Sequence, residues 1–229
     1  MKILIVGPSW VGDAVMAQSL YKIIKNLNPE SKVDVLSPEW ASGVLKRMDQ
    51  INNLIISPFN HGDLKIKARV SFGKSLRSKA YDQAIILTNS LKSSFIPFAA
   101  NIPRRTGWLG EMRYGLINDI RKVNKVHDRL MIEKFSCLSP EPAREDSYEI
   151  PWPSLSVDPL NLSKLLKKYG FDKSSKSIAI CPGAEFGPSK RWPTKYYAEV
   201  VKHYLLEDWQ VFILGSKKDL SVAREIEDK

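Results

Sequence analysis

The first twenty residues, MKILIVGPSWVGDAVMAQSL, constrain the fold of this chain more than any other stretch. An unbroken apolar run at residues 3–6 stops at Gly7 and Pro8, and apolar residues then recur at helical spacing as far as Leu27. This pattern is typical of a buried parallel strand, a tight turn and a helix, the opening unit of a doubly wound α/β domain. Ligands of such domains bind beyond the carboxyl ends of the strands, so the loop at residues 7–13 is predicted to face the functional site.

The same alternation of strands and helices continues along the chain and then restarts. Strands are predicted at residues 32–37, 53–57 and 83–88, with a short strand or turn at 102–107, and helices at residues 39–48, 63–79, 91–100 and 127–138. Residues 139–159 are rich in proline, which interrupts helices and central strands. The sequence therefore predicts two Rossmann-like parallel-sheet domains, at residues 1–150 and 160–229, joined by a linker at 151–159. Only two strands, at 177–181 and 210–214, are predicted in the second domain, too few for a stable open sheet, so it is predicted to be incomplete.

Charge and composition restrict the partners. The chain has 35 Lys and Arg against 25 Asp and Glu, a net charge of +10, and residues 65–79 carry six basic residues and no acid. Such a field attracts nucleic acid, a phosphorylated small molecule or an anionic membrane surface, although a merely solvated helix face is an open alternative for residues 65–79. No apolar run is long enough to span a membrane or form a signal peptide, which favours a cytoplasmic protein. The two cysteines and three histidines are scattered, so neither a disulfide nor a metal site is predicted.

The first loop reads G-x-x-x-x-G-D and ends at Asp13. A nucleotide-triphosphate loop has lysine where this chain has Asp13, and a dinucleotide loop has glycine where it has Ser9, so phosphate binding at this turn is disfavoured. Asp13 falls in the first turn of the predicted helix. Two interpretations stay open: a structural acid that the helix dipole favours, and a general base that takes a proton from a substrate hydroxyl.

The second loop, CPGAEFGPSKRWP at residues 181–193, joins a predicted buried strand to a predicted helix. Gly183 and Gly187 give its backbone freedom, Ser189 offers a hydroxyl, and Lys190 and Arg191 bring positive charge to the helix N-terminus. These features fit a diphosphate cradle, although two surface cations before a helix are the simpler explanation.

Three segments together carry a specific resemblance: GPSWVGDAVMAQSLY, LTNSLKSSFIPFAANIPRRTGWLGEMRYGLIND and CPGAEFGPSKRWP. They resemble the ADP-heptose:lipopolysaccharide heptosyltransferases, a family of cytoplasmic GT-B glycosyltransferases of lipopolysaccharide core biosynthesis. The resemblance implies two Rossmann-like domains, with the acceptor on the first and the sugar nucleotide on the second. It also implies an inverting transfer of L-glycero-D-manno-heptose from ADP-heptose to the first heptose of heptosyl-Kdo-lipid A, at the face of the inner membrane and without a cofactor or metal.

The resemblance also implies roles for individual residues. Asp13 matches the family's proposed catalytic base. Ser9 and Gly12 would shape the loop around the transferred sugar, and Lys190 with Arg191 would stabilise charge on the departing ADP, beside Gly183 and Ser189. The candidates for binding the anionic acceptor are Arg69, Arg77, Arg104 and Arg105.

Members of this family continue beyond the position where this sequence stops. The sequence is therefore either a fragment of a longer enzyme or a truncated product, and little or no transferase activity is expected in the second case. Two other interpretations are open. One is a binding module for an anionic glycan or lipid, in which Asp13 has no special role. The other is a nucleic-acid binder, suggested by the pI near 9.5 but unsupported by any recognisable nucleic-acid-binding motif.

Overall fold

A computed structural model describes residues 1–60, 62–122, 130–141, 149–184 and 187–229. It divides into two units, Met1–Val157 and Asp158–Lys229. Two of the three scattered histidines, His61 and His127, lie outside the described residues. None of the helices in the described ranges has the length and hydropathy needed to cross a bilayer.

Six parallel strands form the sheet of the first unit. They are β1 (Lys2–Val6), β2 (Lys32–Ser37), β3 (Asn53–Ile56), β4 (Gln83–Ile86), β5 (Arg104–Trp108) and β6 (Asp119–Arg121). Their spatial order is β3-β2-β1-β4-β5-β6, and every neighbouring pair is parallel. This is the Rossmann order, in which the direction of strand addition reverses between β1 and β4. The predicted α/β fold is therefore confirmed, and the crevice expected to bind ligand lies where the chain leaves β1 and β4.

Helices cover both faces of this sheet. One face carries α1 (Val11–Met16), α2 (Gln18–Leu27), α3 (Ser42–Leu45) and α6 (Met131–Ser136), and the other carries α4 (Ile66–Ser75) and α5 (Leu91–Ala99). Because side chains alternate along a strand, Ile3 and Ile5 of β1 pack in the first core and Leu4 and Val6 in the second. β1 is thus apolar on both faces, as its sequence predicts.

The C-terminal part of the first unit differs from the sequence-based expectation. The segment at 102–107, predicted as a strand or turn, forms β5, and the region after it, predicted to be less regular, contains the three-residue β6. The predicted helix at 63–79 is α4 followed by a separate 3-10 turn, Arg77–Lys79. The predicted helix at 127–138 is described only from α6 onward.

Residues 152–156, within the predicted linker, are held on the surface of the first unit. The Gln18 side chain accepts from the Ser154 N–H (2.7 Å) and donates to the Ser154 carbonyl (2.7 Å). Two residues further on, the Ser156 N–H donates to the Arg47 carbonyl (2.8 Å), and the Arg47 guanidinium donates to the Ser156 carbonyl (3.2 Å). We call residues 152–156 the strap. The strap belongs to the first unit, and the boundary between the units follows Val157.

The second unit contains a parallel pair of strands, β7 (Ser177–Ile180) and β8 (Gln210–Ile213), with α7 (Pro159–Lys168), α8 (Thr194–Leu206) and α9 (Leu220–Glu227). The Asp158 carboxylate accepts from the N–H groups of Leu160 and Asn161 and so caps α7. The loops after β7 and β8 leave the same edge of this pair, because the strands are parallel.

Candidate functional site

A cleft of about 690 Å³ opens at the carboxyl edge of the first sheet. The loop after β1, the polar turn after β4, the end of β5 and the outer face of α6 enclose it. Its lining includes Ser9, Trp10, Asp13, Thr88, Asn89, Ser90, Lys92, Trp108, Glu111, Met131, Lys134 and Phe135. The cleft lies at the switch point between β1 and β4, where open α/β sheets bind their ligands.

Asp13 occupies the first turn of α1 and is half-buried in the wall of this cleft. Within the described residues, no hydrogen bond or ion pair engages its carboxylate. A structural helix-dipole acid needs no cleft, whereas a general base needs room for a substrate hydroxyl within hydrogen-bond reach. The position of Asp13 is compatible with both interpretations, and its opening into the cleft favours the second.

Two lysines that the sequence analysis did not select line the same cleft as Asp13. Lys92 lies in the first turn of α5 and Lys134 lies on α6, and both are half-buried. Neither ammonium group has a hydrogen-bond or ion-pair partner among the described residues. Half-buried, unpaired cations that face a cleft are suited to anionic groups of a ligand. Lys92 could have been selected because it follows the polar end of β4, but no local signal marks Lys134.

Part of the cleft lining is apolar. The rings of Trp108 and Phe135 lie 6.0 Å apart between centroids, and Leu87 and Met131 lie beside them. Two polar atoms of this region, Trp108 Nε1 and Thr88 Oγ1, are buried without a partner among the described residues. A cleft with two cations, the unpaired carboxylate of Asp13 and an aromatic wall is suited to a charged sugar, whose ring presents both hydroxyl groups and apolar C–H faces.

Arg113 is fully buried and holds the loop after β5 against the cleft. Its guanidinium donates to the carbonyls of Thr88 (2.8 Å) and Trp108 (2.6 Å), and to the hydroxyls of Ser93 (3.3 Å) and Ser94 (3.2 Å). Burial lowers the pKa of this guanidinium, while the neighbouring charge of Glu111 raises it. A buried arginine is uncommon, and this one ties β5 to the turn after β4. The sequence analysis missed it because arginine is ordinarily a surface residue.

Glu111 links the loop after β5 to the start of α5. Its carboxylate accepts from the Leu91 N–H (2.6 Å) and so caps the N-terminus of α5. Because Lys92 follows directly, this contact also helps to fix the lysine that lines the cleft.

Arg69 lines a smaller pocket of about 80 Å³ that shares Ser9, Thr88, Ser90 and Lys92 with the cleft. The guanidinium donates to the carbonyls of Leu64 (2.8 Å) and Asp63 (2.8 Å) and lies 4.2 Å from the centre of the Phe59 ring. Arg69 is 7% exposed, and burial lowers its pKa. Of the four predicted acceptor-binding arginines, this is the one that the structure brings next to the cleft.

The structure places the other three arginines elsewhere. Arg104 and Arg105 begin β5 and Arg77 precedes β4, so all three lie at the amino edge of the sheet, opposite Asp13. Arg104 pairs with Asp119 (2.9 Å), while the guanidinium groups of Arg77 and Arg105 donate to backbone carbonyls. The sequence analysis grouped these arginines by charge, which carries no information about the edge of the sheet on which a residue lies.

The predicted donor-binding residues are divided between the two units. Ser9 and Gly12 belong to the first unit, where Ser9 lines the cleft and a Cβ on Gly12 would meet only open space. In the second unit, Ser189 and Lys190 end a 3-10 turn, and Arg191 follows and donates to the Ala184 carbonyl (3.3 Å). All three are exposed, and Pro193, the N-cap residue of α8, makes no side-chain capping hydrogen bond. Glu185 and Phe186 of this loop lie outside the described residues.

Asp219 connects the two loops of the second unit. Its carboxylate accepts from the Ser216 N–H and hydroxyl (2.8 Å each), and these contacts lower the pKa of Asp219. A Cβ on Gly183 would collide with that carboxylate, so the close approach of the two loops requires glycine at this position. No group of three or more potential metal ligands occurs in the described part of the chain.

Comparisons with known proteins point to one family. The model of glycosyltransferase family 9 (heptosyltransferase) matches residues 69–229. Lipopolysaccharide heptosyltransferase 2 of Salmonella typhimurium is 45% identical over 99% of this chain, and its namesake in Escherichia coli is 44% identical over the same share. The chain spans 66% of the length of these two relatives.

Solved structures show the same similarity. Escherichia coli ADP-heptose lps heptosyltransferase II superposes with a TM-score of 0.88 at 41% identity, covering 99% of this chain and 68% of that one. A family 9 glycosyltransferase of Veillonella parvula superposes with a TM-score of 0.81 at 14% identity, covering 100% of this chain and 66% of that one. At that identity the second match supports the fold alone.

Proposed function

The chain belongs to glycosyltransferase family 9, the heptosyltransferases, and from that membership we propose that the protein transfers heptose from ADP-heptose to the lipopolysaccharide inner core. In finer terms, the donor is ADP-L-glycero-D-manno-heptose and the acceptor is the first heptose of heptosyl-Kdo-lipid A. The single observation that carries the proposal is the cleft around Asp13, which is lined by the unpaired carboxylate of Asp13 and by two unpaired lysines.

The proposed chemistry is an inverting displacement. The acceptor hydroxyl oxygen attacks the anomeric carbon of the donor heptose from the side opposite the diphosphate, and its proton passes to the Asp13 carboxylate. A new C–O bond forms as the bond to the diphosphate breaks, and ADP leaves with the electron pair. Asp13 is well suited to this role because it opens into the cleft and has no other described partner to compete for the proton.

Acceptor binding is proposed for the first unit. The lipid A–Kdo region is anionic, and Lys92 and Lys134 supply two unpaired cations on the cleft wall. Arg69 contributes further positive charge from the adjoining pocket. The wall formed by Trp108 and Phe135 would pack against the apolar face of a sugar ring.

Donor binding is proposed for the loop after β7. Lys190 and Arg191 would balance the charge that develops on the departing ADP, and the N-terminus of α8 provides N–H groups for its phosphates. These groups supply positive charge where a metal ion supplies it in other glycosyltransferases, so we propose transfer without a metal or cofactor. The protein would act in the cytoplasm at the inner face of the inner membrane.

A mass-spectrometric transfer assay tests the proposed function. The protein is mixed with ADP-heptose and heptosyl-Kdo-lipid A, and the acceptor is expected to gain the mass of one heptose while ADP is released. A parallel titration measures acceptor binding in the absence of donor. Binding without any mass gain would contradict the transferase assignment and favour a binding module, and the absence of both would contradict the acceptor site itself.

A further inference from the structure

We propose that the solvent face of α4 and α5 in the first unit docks on an anionic lipid bilayer. We call this face the α4–α5 surface and define it by the exposed residues Leu64, Ile66, Lys67, Lys74, Lys79 and Phe98. The inference rests on the proposed function only in supposing that the acceptor is lipid-linked. We infer that a bilayer, rather than a soluble glycan, binds this surface, because the surface combines basic and apolar side chains.

The two helices lie side by side on one face of the sheet. Leu76, which ends α4, and Ile96 of α5 pack into the same core cluster as Leu4 and Ile86. At Gly73 the helices approach so closely that a Cβ would lie 2.5 Å from the Ile96 carbonyl oxygen. Since both helices turn their buried sides to one sheet face, their exposed sides point away from it together and form a continuous surface.

This surface is almost free of acidic residues. Residues 63–110 contain two acids, Asp63 and Asp82, against the basic residues Lys65, Lys67, Arg69, Lys74, Arg77, Lys79, Lys92, Arg104 and Arg105. Asp63 forms an ion pair with Lys65 (2.8 Å). The Asp82 carboxylate accepts a hydrogen bond from the Lys2 backbone N–H (2.6 Å). Arg77 donates to the Ala99 carbonyl (2.9 Å), which satisfies its donor without neutralising its charge. The surface is therefore positive as a whole, which an anionic leaflet attracts within about a Debye length.

Exposed apolar side chains accompany the cations. Leu64 is 55% exposed, Ile66 40% and Phe98 49%. A nucleic acid would be attracted by the lysines but would gain little from exposed aliphatic groups, whereas a bilayer accepts both kinds of side chain. Interfacial surfaces of peripheral proteins combine basic residues with apolar residues in this way, the cations remaining at the headgroups and the apolar groups entering the acyl boundary.

The α4–α5 surface lies next to the proposed acceptor site. Leu64 and Ile66 lie at the N-terminal end of α4, next to Arg69, and Arg69 lines the pocket that adjoins the Asp13 cleft. A bilayer docked on the α4–α5 surface would therefore lie beside the opening of the acceptor site. A lipid-linked sugar could then enter the cleft while its acyl chains stayed in the membrane.

Co-sedimentation with vesicles tests the inference without any transfer reaction. The probes are vesicles of phosphatidylcholine alone and of phosphatidylcholine mixed with phosphatidylglycerol. The protein is expected to bind the mixed vesicles at least about tenfold more tightly, and to lose that binding as salt is raised. Replacing Lys67→Glu and Lys74→Glu together should weaken binding about tenfold or more, and Phe98→Ser about threefold at unchanged charge.

Matched variants on the second unit serve as controls. Lys164→Glu with Lys167→Glu makes the same charge change on exposed positions of α7, and Leu206→Ser removes another exposed apolar side chain. Both should bind vesicles as the unchanged protein does, and circular dichroism verifies that each variant is folded. Equal binding to the two kinds of vesicle, or an equal loss in the α7 variants, would overturn the inference. Because no heptose donor is present, that result would leave the proposed transfer untouched.

Discussion

At the scale of single residues, the cleft depends on a few side chains whose charge is not matched by a neighbour. Lys92, Lys134 and Asp13 face the same space, and none has a partner in the described part of the chain. Asp119 of the same unit, by contrast, pairs with Arg104 and Arg121. Unpaired charges in a cleft are costly unless a ligand uses them, which is why these three residues are the centre of the functional proposal.

The two lysines should act on acceptor binding. Replacing Lys92→Ala or Lys134→Ala is expected to raise the acceptor KM about tenfold or more while changing the donor KM little, since each change removes a charge-assisted contact to the acceptor. Steady-state kinetics with each substrate varied in turn measures this. Lys46→Ala, at an exposed position outside the cleft, is the control. An unchanged acceptor KM in both cleft variants would remove the lysines from the acceptor site.

Arg113 should matter mainly for stability. Arg113→Lys keeps the charge but cannot reach the carbonyls of both Thr88 and Trp108, so it leaves buried acceptors unsatisfied. We expect the free energy of unfolding of the first unit to fall by about 2–4 kcal/mol. Urea titration followed by circular dichroism measures the change, with the exposed Arg224→Lys of α9 as control. A loss no greater than that of the control would show that the buried network contributes little.

At the scale of elements, the sequence predicted those segments whose pattern is both long and regular. The apolar runs of β1 and β4 and the amphipathic spacing of α2 and α8 made those elements predictable. β6 has only three residues and owes its place to pairing with β5, which no local pattern records. The docking of the strap on the first unit was likewise not predictable. Its proline-rich sequence is typical of a linker, and its contacts are with residues distant in sequence.

Gln18 holds the middle of the strap at Ser154. It is 1% exposed, and its amide makes reciprocal hydrogen bonds with the backbone of Ser154. In Gln18→Ala the Ser154 amide should exchange with solvent at least about tenfold faster, because it loses its acceptor, while amides of β1 stay protected. Hydrogen exchange read by mass spectrometry detects this. Lys46→Ala, outside the strap, should leave the exchange unchanged, and protection of residues 152–156 in Gln18→Ala would mean that other contacts hold the strap.

At the scale of the whole molecule, the two units differ in the size of their cores. The first unit encloses two apolar clusters, one on each side of its sheet, whereas the described residues of the second unit fully bury only a few apolar side chains, namely Ile180, Ala198 and Ile226. A two-stranded sheet with so little buried surface is weakly stable. The sequence analysis predicted two strands for this unit, and β7 and β8 are those strands.

Because the second unit has the smaller core, we expect it to unfold at a lower urea concentration than the first unit. In native-state hydrogen exchange with increasing urea, amides of β7 and β8 should lose protection at lower urea than those of β1 and β4. Arg113→Lys should lower the urea concentration at which β1 and β4 lose protection and leave that of β7 and β8 unchanged. If all four strands lost protection together at one urea concentration, the units would form a single cooperative structure and the prediction would be wrong.

The sequence did not show where in the fold several charged residues of the site lie. It selected Asp13 and Lys190 from loops and from family resemblance, because both follow recognisable strand ends. It could not place Arg104 and Arg105 at the amino edge of the sheet, nor bring Lys134 of α6 to the cleft that the first loop lines. Those positions follow from the order in which the strands assemble, and strand order depends on long-range packing rather than on local pattern.

The measurement that tests the central claim most directly compares transfer rates of two variants at the same edge of the sheet. Asp13→Asn removes the proposed base, and Glu39→Gln removes the exposed acid that begins the 3-10 helix after β2, so both variants lose one negative charge at a helix start. We predict that Asp13→Asn lowers kcat at least about a hundredfold while Glu39→Gln stays within about threefold of the unchanged protein. An Asp13→Asn rate within about threefold of the unchanged protein, or an equal fall in both variants, would contradict the account.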